Sequence, residues 1–286
     1  MEHIIVTAFK EELFREIHSK AFVIRTSDLF SFRNIAHVVN EHNKLHCIQA
    51  VVKGNLTDIP VSEDWMDIPV HLFVPSFGSI RSFIEKSGLW RMLSVRIFLS
   101  SKDPANFSHL QLISSLGVDC GIWFDEGPTD WQAANDLMHY SIYGKVPHGS
   151  IEPFVYIIDH YHPTQNTDFS AVYFNHPDRY IHMDKDGNLA LTQGKLLAGE
   201  YVGTIQELEN IREKPAFADY LNNWQDIFLA NEACSSCPAW RICQGKFSAT
   251  VETNPGCSEF LSDAMEASEF VQSKAGERRI KQLCQL

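Results

Sequence analysis

Along the first half of the chain, short apolar runs alternate with stretches whose apolar residues recur every three or four positions. The runs at 21–24, 46–52, 70–74, 94–99 and 118–124 read as strands, the third of them closed by Pro75. Between them, 29–41 follows Ser27-Asp28 as a helix, and 79–87 is a helix that Gly88 is expected to stop. Asp103 can cap the next helix, with Pro104 at its first position and Gly117 just past its end. Thr129-Asp130-Trp131-Gln132 reads as a capping box opening a helix that runs to Tyr143 and stops at Gly144. This alternation predicts an α/β fold with βα units and a parallel sheet. The count of about five to seven strands suits an open or partial barrel, or a doubly wound sheet, better than a closed eightfold barrel. Ligand sites of such sheets lie at the strand carboxyl ends, here around 75–78, 100–102 and 125–127.

After Tyr143 the rhythm changes. Residues 145–150 carry Pro and Gly and form the expected linker, dividing the chain into 1–150 and 151–286. Two apolar runs, 180–184 and 189–192, flank Lys185-Asp186-Gly187-Asn188, a strong hairpin signal. Thr204-Ile205-Gln206-Glu207 is a further capping box, and a helix over 216–229 leads into a group of cysteines.

Those cysteines change the picture most. Four of the seven, Cys234, Cys237, Cys243 and Cys257, lie within 24 residues as C-x2-C-x5-C-x13-C, whereas Cys47, Cys120 and Cys284 are scattered and read as ordinary thiols. Thiolates repel one another and oxidise readily, so gathering four is favourable when a cationic centre holds them. The competing occupants are an iron–sulfur cluster, a structural zinc ion and a pair of disulfides. No apolar run is long enough to cross a bilayer, and the N-terminal stretch MEHIIVTAFKEELF is acidic where a signal peptide is basic. The expectation is therefore a cytoplasmic chain, in which disulfides are disfavoured. A net charge of −12 argues against nucleic acid and anionic membrane as partners. The basic run 277–281 reads as a helix end complementing its own dipole. There is no G-x-G-x-x-G and no G-x-x-x-x-G-K-[ST], hence no positive sign of a bound dinucleotide or P-loop nucleotide.

The hairpin with Asp186-Gly187-Asn188, the step Gly203-Thr204-Ile205 into a helix, and Cys234-Ser235-Ser236-Cys237-Pro238, Cys243-Gln244-Gly245 and Cys257 together resemble the SPASM extension of radical SAM enzymes. The preceding βα units resemble that family's partial barrel by rhythm alone. The resemblance implies a 4Fe–4S cluster on Cys234, Cys237, Cys243 and Cys257. Two departures qualify it. The C-x3-C-x2-C motif that holds the S-adenosylmethionine-cleaving cluster is missing, since the first cysteine, Cys47, stands alone. Ligands of the second auxiliary cluster are missing too: Phe247 stands four residues after Cys243, and 184–193 contains no cysteine.

The chain thus resembles a degenerate radical SAM/SPASM protein. That resemblance implies a non-catalytic scaffold for a precursor peptide, an active radical SAM maturase, or both. An extended peptide could add to an exposed sheet edge. The alternatives are an active iron–sulfur enzyme acting on a peptide and a zinc-stabilised binding protein. Two weaker candidates remain. Asp159-His160-Tyr161-His162 would put both imidazoles on one face of a strand, a spacing able to bind metal, but reads better as a polar strand end. Asp125 and Glu126 could serve as acid and base, but read better as a solvated turn.

Overall fold

The computed structural model describes residues 2–124, 127–249 and 254–283, with side chains in the last stretch as far as residue 274. Asp125, Glu126 and Cys284 lie outside the described residues, as do the side chains of the basic run 277–281. The strands are β1 (Ile4–Ala8), β2 (Ala21–Thr26), β3 (Lys44–Val51), β4 (Val70–Val74), β5 (Val95–Ser100), β6 (Cys120–Trp123), β7 (Ile151–Glu152), β8 (Tyr180–Met183), β9 (Asn188–Ala190) and β10 (Gly203–Thr204). The helices are α1 (Glu11–Glu16), α2 (Phe32–His42), α3 (Ile80–Met92), α4 (Ala105–Ser115), α5 (Trp131–Tyr143), α6 (Phe154–His160), α7 (Gln193–Ala198), α8 (Pro215–Ala230), α9 (Glu232–Ser235), α10 (Trp240–Cys243) and α11 (Cys257–Leu283).

All ten strands form one open sheet in the order β10-β9-β8-β1-β2-β3-β4-β5-β6-β7. From β8 to β7 every neighbour is parallel, while β9 and β10 are antiparallel additions. The α/β class and the mostly parallel sheet agree with the alternation in the sequence. The first half supplies six strands, β1–β6, within the expected five to seven, and β7 to β10 from beyond residue 150 extend the sheet to ten. Tyr180 of β8 lies opposite Ile4 of β1, a pairing across most of the chain that no local pattern announces. The sheet therefore continues across residue 150 into the C-terminal half.

Period-two alternation sends Ile5, Ile24, Ile48, Leu72 and Ile97 to the face that the helices cover. The opposite face carries Val6, Val23, Cys47, Phe73, Phe98 and Tyr180, and it is capped by a short 3-10 turn, Phe169–Tyr173, through Ala171, Val172 and Phe174. Phe73 and Phe98 stack at 4.6 Å between ring centres, so the chain's own aromatic rings fill much of that side.

Local signals hold at most helix starts. The Asp130 carboxylate accepts from Ala133 N at 3.0 Å at the start of α5, making Asp130 rather than Thr129 the capping residue. Thr204 and Glu207 form the expected capping box. Gly88 does not stop α3, which continues to Met92. A mid-helix glycine costs about 1 kcal/mol against alanine, and burial of Trp90 against Phe83 and Trp65 outweighs that.

α11 packs on α5 and α6, with Phe260 buried against Phe124, Trp131 and Phe154. One core thus serves residues from both sides of the linker. Phe260→Ala is expected to lower unfolding free energy by about 3–5 kcal/mol while leaving a single urea transition. A second, separate transition for the C-terminal half would contradict the shared core.

Candidate four-cysteine site

Cys234 and Cys237 ride on α9 and the turn after it. The Asn231 side chain caps α9 by accepting from Cys234 N at 3.0 Å, and Cys237 N donates to Cys234 O at 3.2 Å. Cys243 ends α10. Gln244 (φ 49°) and Gly245 (φ 80°) then turn the chain in the left-handed region, and at Gly245 a Cβ would come within 2.5 Å of Ile227 Cγ2. Cys257 opens α11 directly after Gly256, where a Cβ would press on the Trp131 ring at 2.8 Å. The four thiols line one recess, closed by Ala233, Trp240, Phe247 and Leu261. All four are free rather than disulfide-bonded.

The thiols sense one another. Burial raises Cys234, and Cys237 raises it further. Burial likewise raises Cys257, with Cys237 and Cys234 adding to the effect. Cys243 is pushed up to about 12, by burial first and then by Cys257. Protein groups act in the opposite sense. The backbone N–H groups of Phe247, Gly245 and Lys246 favour the Cys243 thiolate, and those of Ser258 and Cys257 favour the Cys257 thiolate at the α11 N-terminus. Cys237 Sγ meets Ser258 Oγ at 3.2 Å. The Gln244-Gly245 pair after Cys243 is the sequence signal for this turn.

Among the described residues, no group of three or more His, Cys, Asp or Glu side chains is arranged to hold a metal ion. A single zinc ion needs its four sulfurs about 2.3 Å from one point. A four-iron cluster takes one thiolate at each of four separate corners, a wider arrangement. The room in the recess, about 20 Å³, is close to that of one water, so a cluster requires the loops bearing the thiols to part.

Phe247 stands four residues after Cys243. It is 8% exposed and sits edge-on to Trp131 at 4.8 Å and to Phe124 at 5.4 Å. Phe247 is thereby part of the aromatic core. Trp131 Nε1 also donates to Asn254 O at 3.2 Å, tying the segment before Cys257 to α5. On the other side, Thr167 N donates to Arg241 O at 2.9 Å, and the Arg241 guanidinium reaches Pro163 O.

The remaining candidates do not converge. His160 ends α6 rather than a strand, because Phe154 and Ile157 bury a helical face. Its Nδ1 meets Tyr156 O at 2.9 Å, and His162 Nδ1 meets Thr164. Cys47 and Cys120 are buried on opposite faces of the sheet, far above the usual thiol range through desolvation. At the predicted mouth, Ser76 and 100–102 serve local structure: Ser76 Oγ donates to Asn55 Oδ1, and the buried Asn106 amide donates to Pro75 O and Ser100 O. Comparison of the chain with protein-family models, with curated proteins and with solved structures found no match.

Proposed function

We propose that Cys234, Cys237, Cys243 and Cys257 hold one 4Fe–4S cluster, and that the chain is a degenerate radical SAM/SPASM-like protein. It serves as a non-catalytic scaffold for a precursor peptide or an active maturase. The observation that carries the metal reading is the convergence of four unpaired thiols on one recess, with backbone N–H groups aimed at Cys243 and Cys257. Neutral buried thiols have little use for such donors, whereas thiolates on a cationic centre are stabilised by them. When bound, the cluster supplies charge neutralisation and an electron-transfer centre. The chain's own groups fix the sulfurs and shield them behind Trp240, Phe247 and Leu261.

The scaffold reading is supported by the missing C-x3-C-x2-C motif and by the aromatic filling of the sheet face opposite the helices. Addition of a peptide strand to a sheet edge draws no support from the architecture: the edge strands β7 and β10 are two residues each, too short to template a long pairing. A peptide has more to hold in the groove beside α8, where Tyr220, Leu221, Trp224 and Ile227 face Asp168 and His176.

Anaerobic reconstitution should load close to four irons per chain, by the stoichiometry of the cluster. Cys243→Ser should lose most of the visible absorption while Cys47→Ala retains it. An unchanged spectrum in Cys243→Ser would defeat the assignment.

Stability should carry a matching pH signature. Native Cys243 ionises at about 12 rather than at the usual 9.0, so in the metal-free protein its contribution is intact below pH 9.0. It is lost progressively as the pH rises toward about 12, because only the unfolded chain releases the proton. In the loaded protein the sulfur is already a thiolate, and urea melts on either side of pH 9.0 should lose that part of the slope. An identical slope in both forms would speak against Cys243 as a ligand.

Strong reductant and S-adenosylmethionine should give no 5′-deoxyadenosine above background, because four thiolates occupy every iron corner. Turnover abolished by Cys→Ala changes in the set would promote the enzyme alternative. The scaffold itself is tested with the short peptides and maturases encoded beside the gene. A true partner at a hundred times its Kd stabilises by about 2.7 kcal/mol, and no rise in Tm with any of them would reject this role.

A further inference from the structure

A second cavity, of about 290 Å³, opens at the carboxyl ends of the parallel strands on the sheet face away from the helices. It shares no lining residue with the thiol recess and stands independently of what the cysteines hold. Arg25 of β2, Gln49 of β3 and His182 of β8 reach it from the sheet floor, and Gln193 at the start of α7 and Lys246 from the cysteine segment reach it from above. Phe73, Trp123 and Tyr173 supply aromatic walls.

Its charge runs against that of the whole molecule. The chain has 36 acidic and 24 basic residues, yet among the described residues no Asp or Glu lines this cavity, while Arg and Lys both do. Among the described residues no carboxylate forms an ion pair with Arg25 or Lys246. The Lys246 ammonium rests instead over the rings of Phe169 and Tyr173 at 5.1 and 5.0 Å.

Buried hydrogen-bonding capacity is also left over. His182 is 2% exposed; its Nδ1 meets Gln193 Oε1 at 3.2 Å, and its Nε2 has no partner. Gln49 is 6% exposed, and no side-chain hydrogen bond is seen for its amide among the described residues. Burial, and then the nearby Arg25, lowers His182 to about 4. The imidazole is therefore neutral at neutral pH, and the positive charge of the cavity rests on Arg25 and Lys246.

We infer that this cavity binds the carboxylate of a small apolar or aromatic acid. The carboxylate lies against Arg25 and Lys246, the Gln49 and Gln193 amides complete its hydrogen bonding, and the body of the acid packs on Phe73, Trp123 and Tyr173. A planar guanidinium suits a carboxylate in two-pronged contact, and the cavity volume lies near the lower end for small-molecule sites. The acid could be free or be the C-terminus of a peptide, since both present the same group.

The test is calorimetric titration of the full chain with 3-phenylpropionate and with its uncharged amide, 3-phenylpropionamide. The acid should bind saturably and the amide at least about tenfold more weakly. Arg25→Gln should weaken the acid by about tenfold or more, Arg25→Lys by less, and neither should change the weak binding of the amide. Equal binding of acid and amide to the natural chain, or no saturable binding of the acid at millimolar concentration, overturns the inference without reference to any variant. Unchanged acid affinity in an Arg25→Gln protein that melts cooperatively overturns it as well. An acetylated tripeptide ending in phenylalanine, with a free or an amidated C-terminus, separates the sources. Binding of the free-carboxylate peptide as tightly as the small acid points to peptide ends, and binding of the small acid alone points to a free metabolite. Either result upholds the carboxylate pocket.

Discussion

The placement of the cysteines depends on the aromatic cluster centred on Trp131. Phe124 from the end of β6, Trp131 from the first turn of α5, Phe247 from the cysteine segment and Phe260 from α11 pack ring against ring. Two of these rings flank the thiols in sequence: Phe247 follows Cys243, and Phe260 follows Cys257. Trp131 Nε1 and the close approach of Gly256 pin the entry to α11 at the same place. Such rings bury some 150–250 Å² apiece, and their mutual orientation leaves each thiol-bearing turn little freedom to drift. The two ends of the longest cysteine spacing are thus held by the βα half of the protein rather than by the cysteines themselves.

Around that anchor, the thiol recess and the strand-end cavity solve opposite electrostatic problems a few residues apart. In the recess, four thiols raise one another and the backbone answers with N–H groups. In the cavity, two cations and neutral amides stand without carboxylates among the described residues. Lys246 belongs to both neighbourhoods: its backbone N–H donates to Cys243 O at 3.0 Å, and its side chain lines the cavity. The turn that closes behind Cys243 therefore also fixes where the ammonium stands. This geometric link follows from Gln244 and Gly245 reversing the chain.

Short-range patterning accounts for what was legible in advance. The apolar runs marked five of the parallel strands, because alternation and burial are local properties of a strand. Asp130 and the Thr204–Glu207 box marked helix starts, since a cap acts within one turn. Asp184 organises the hairpin loop through N–H groups of Asp186 and Asn188, two and four residues away. Gly88 misled because its cost is local, whereas the burial of Trp90 that overrides it is tertiary. The His160–His162 pair misled because a two-residue period was assumed where Phe154 and Ile157 bury a helical face.

By itself, then, the sequence determined the α/β class, the starts of α3, α4, α5 and α8, the hairpin, and which four cysteines stand close together along the chain. Each of these depends on contacts within a few residues or on spacing alone. Only the tertiary structure decided that β8 would join β1 and carry the hairpin into the main sheet, and that the Trp131 cluster would brace the cysteine turns. It alone brought Arg25, Gln49, His182 and Lys246 to one cavity. These side chains are separated by up to 221 residues, and their meeting is set by strand order and parallel register, which arise from long-range pairing rather than from any local preference.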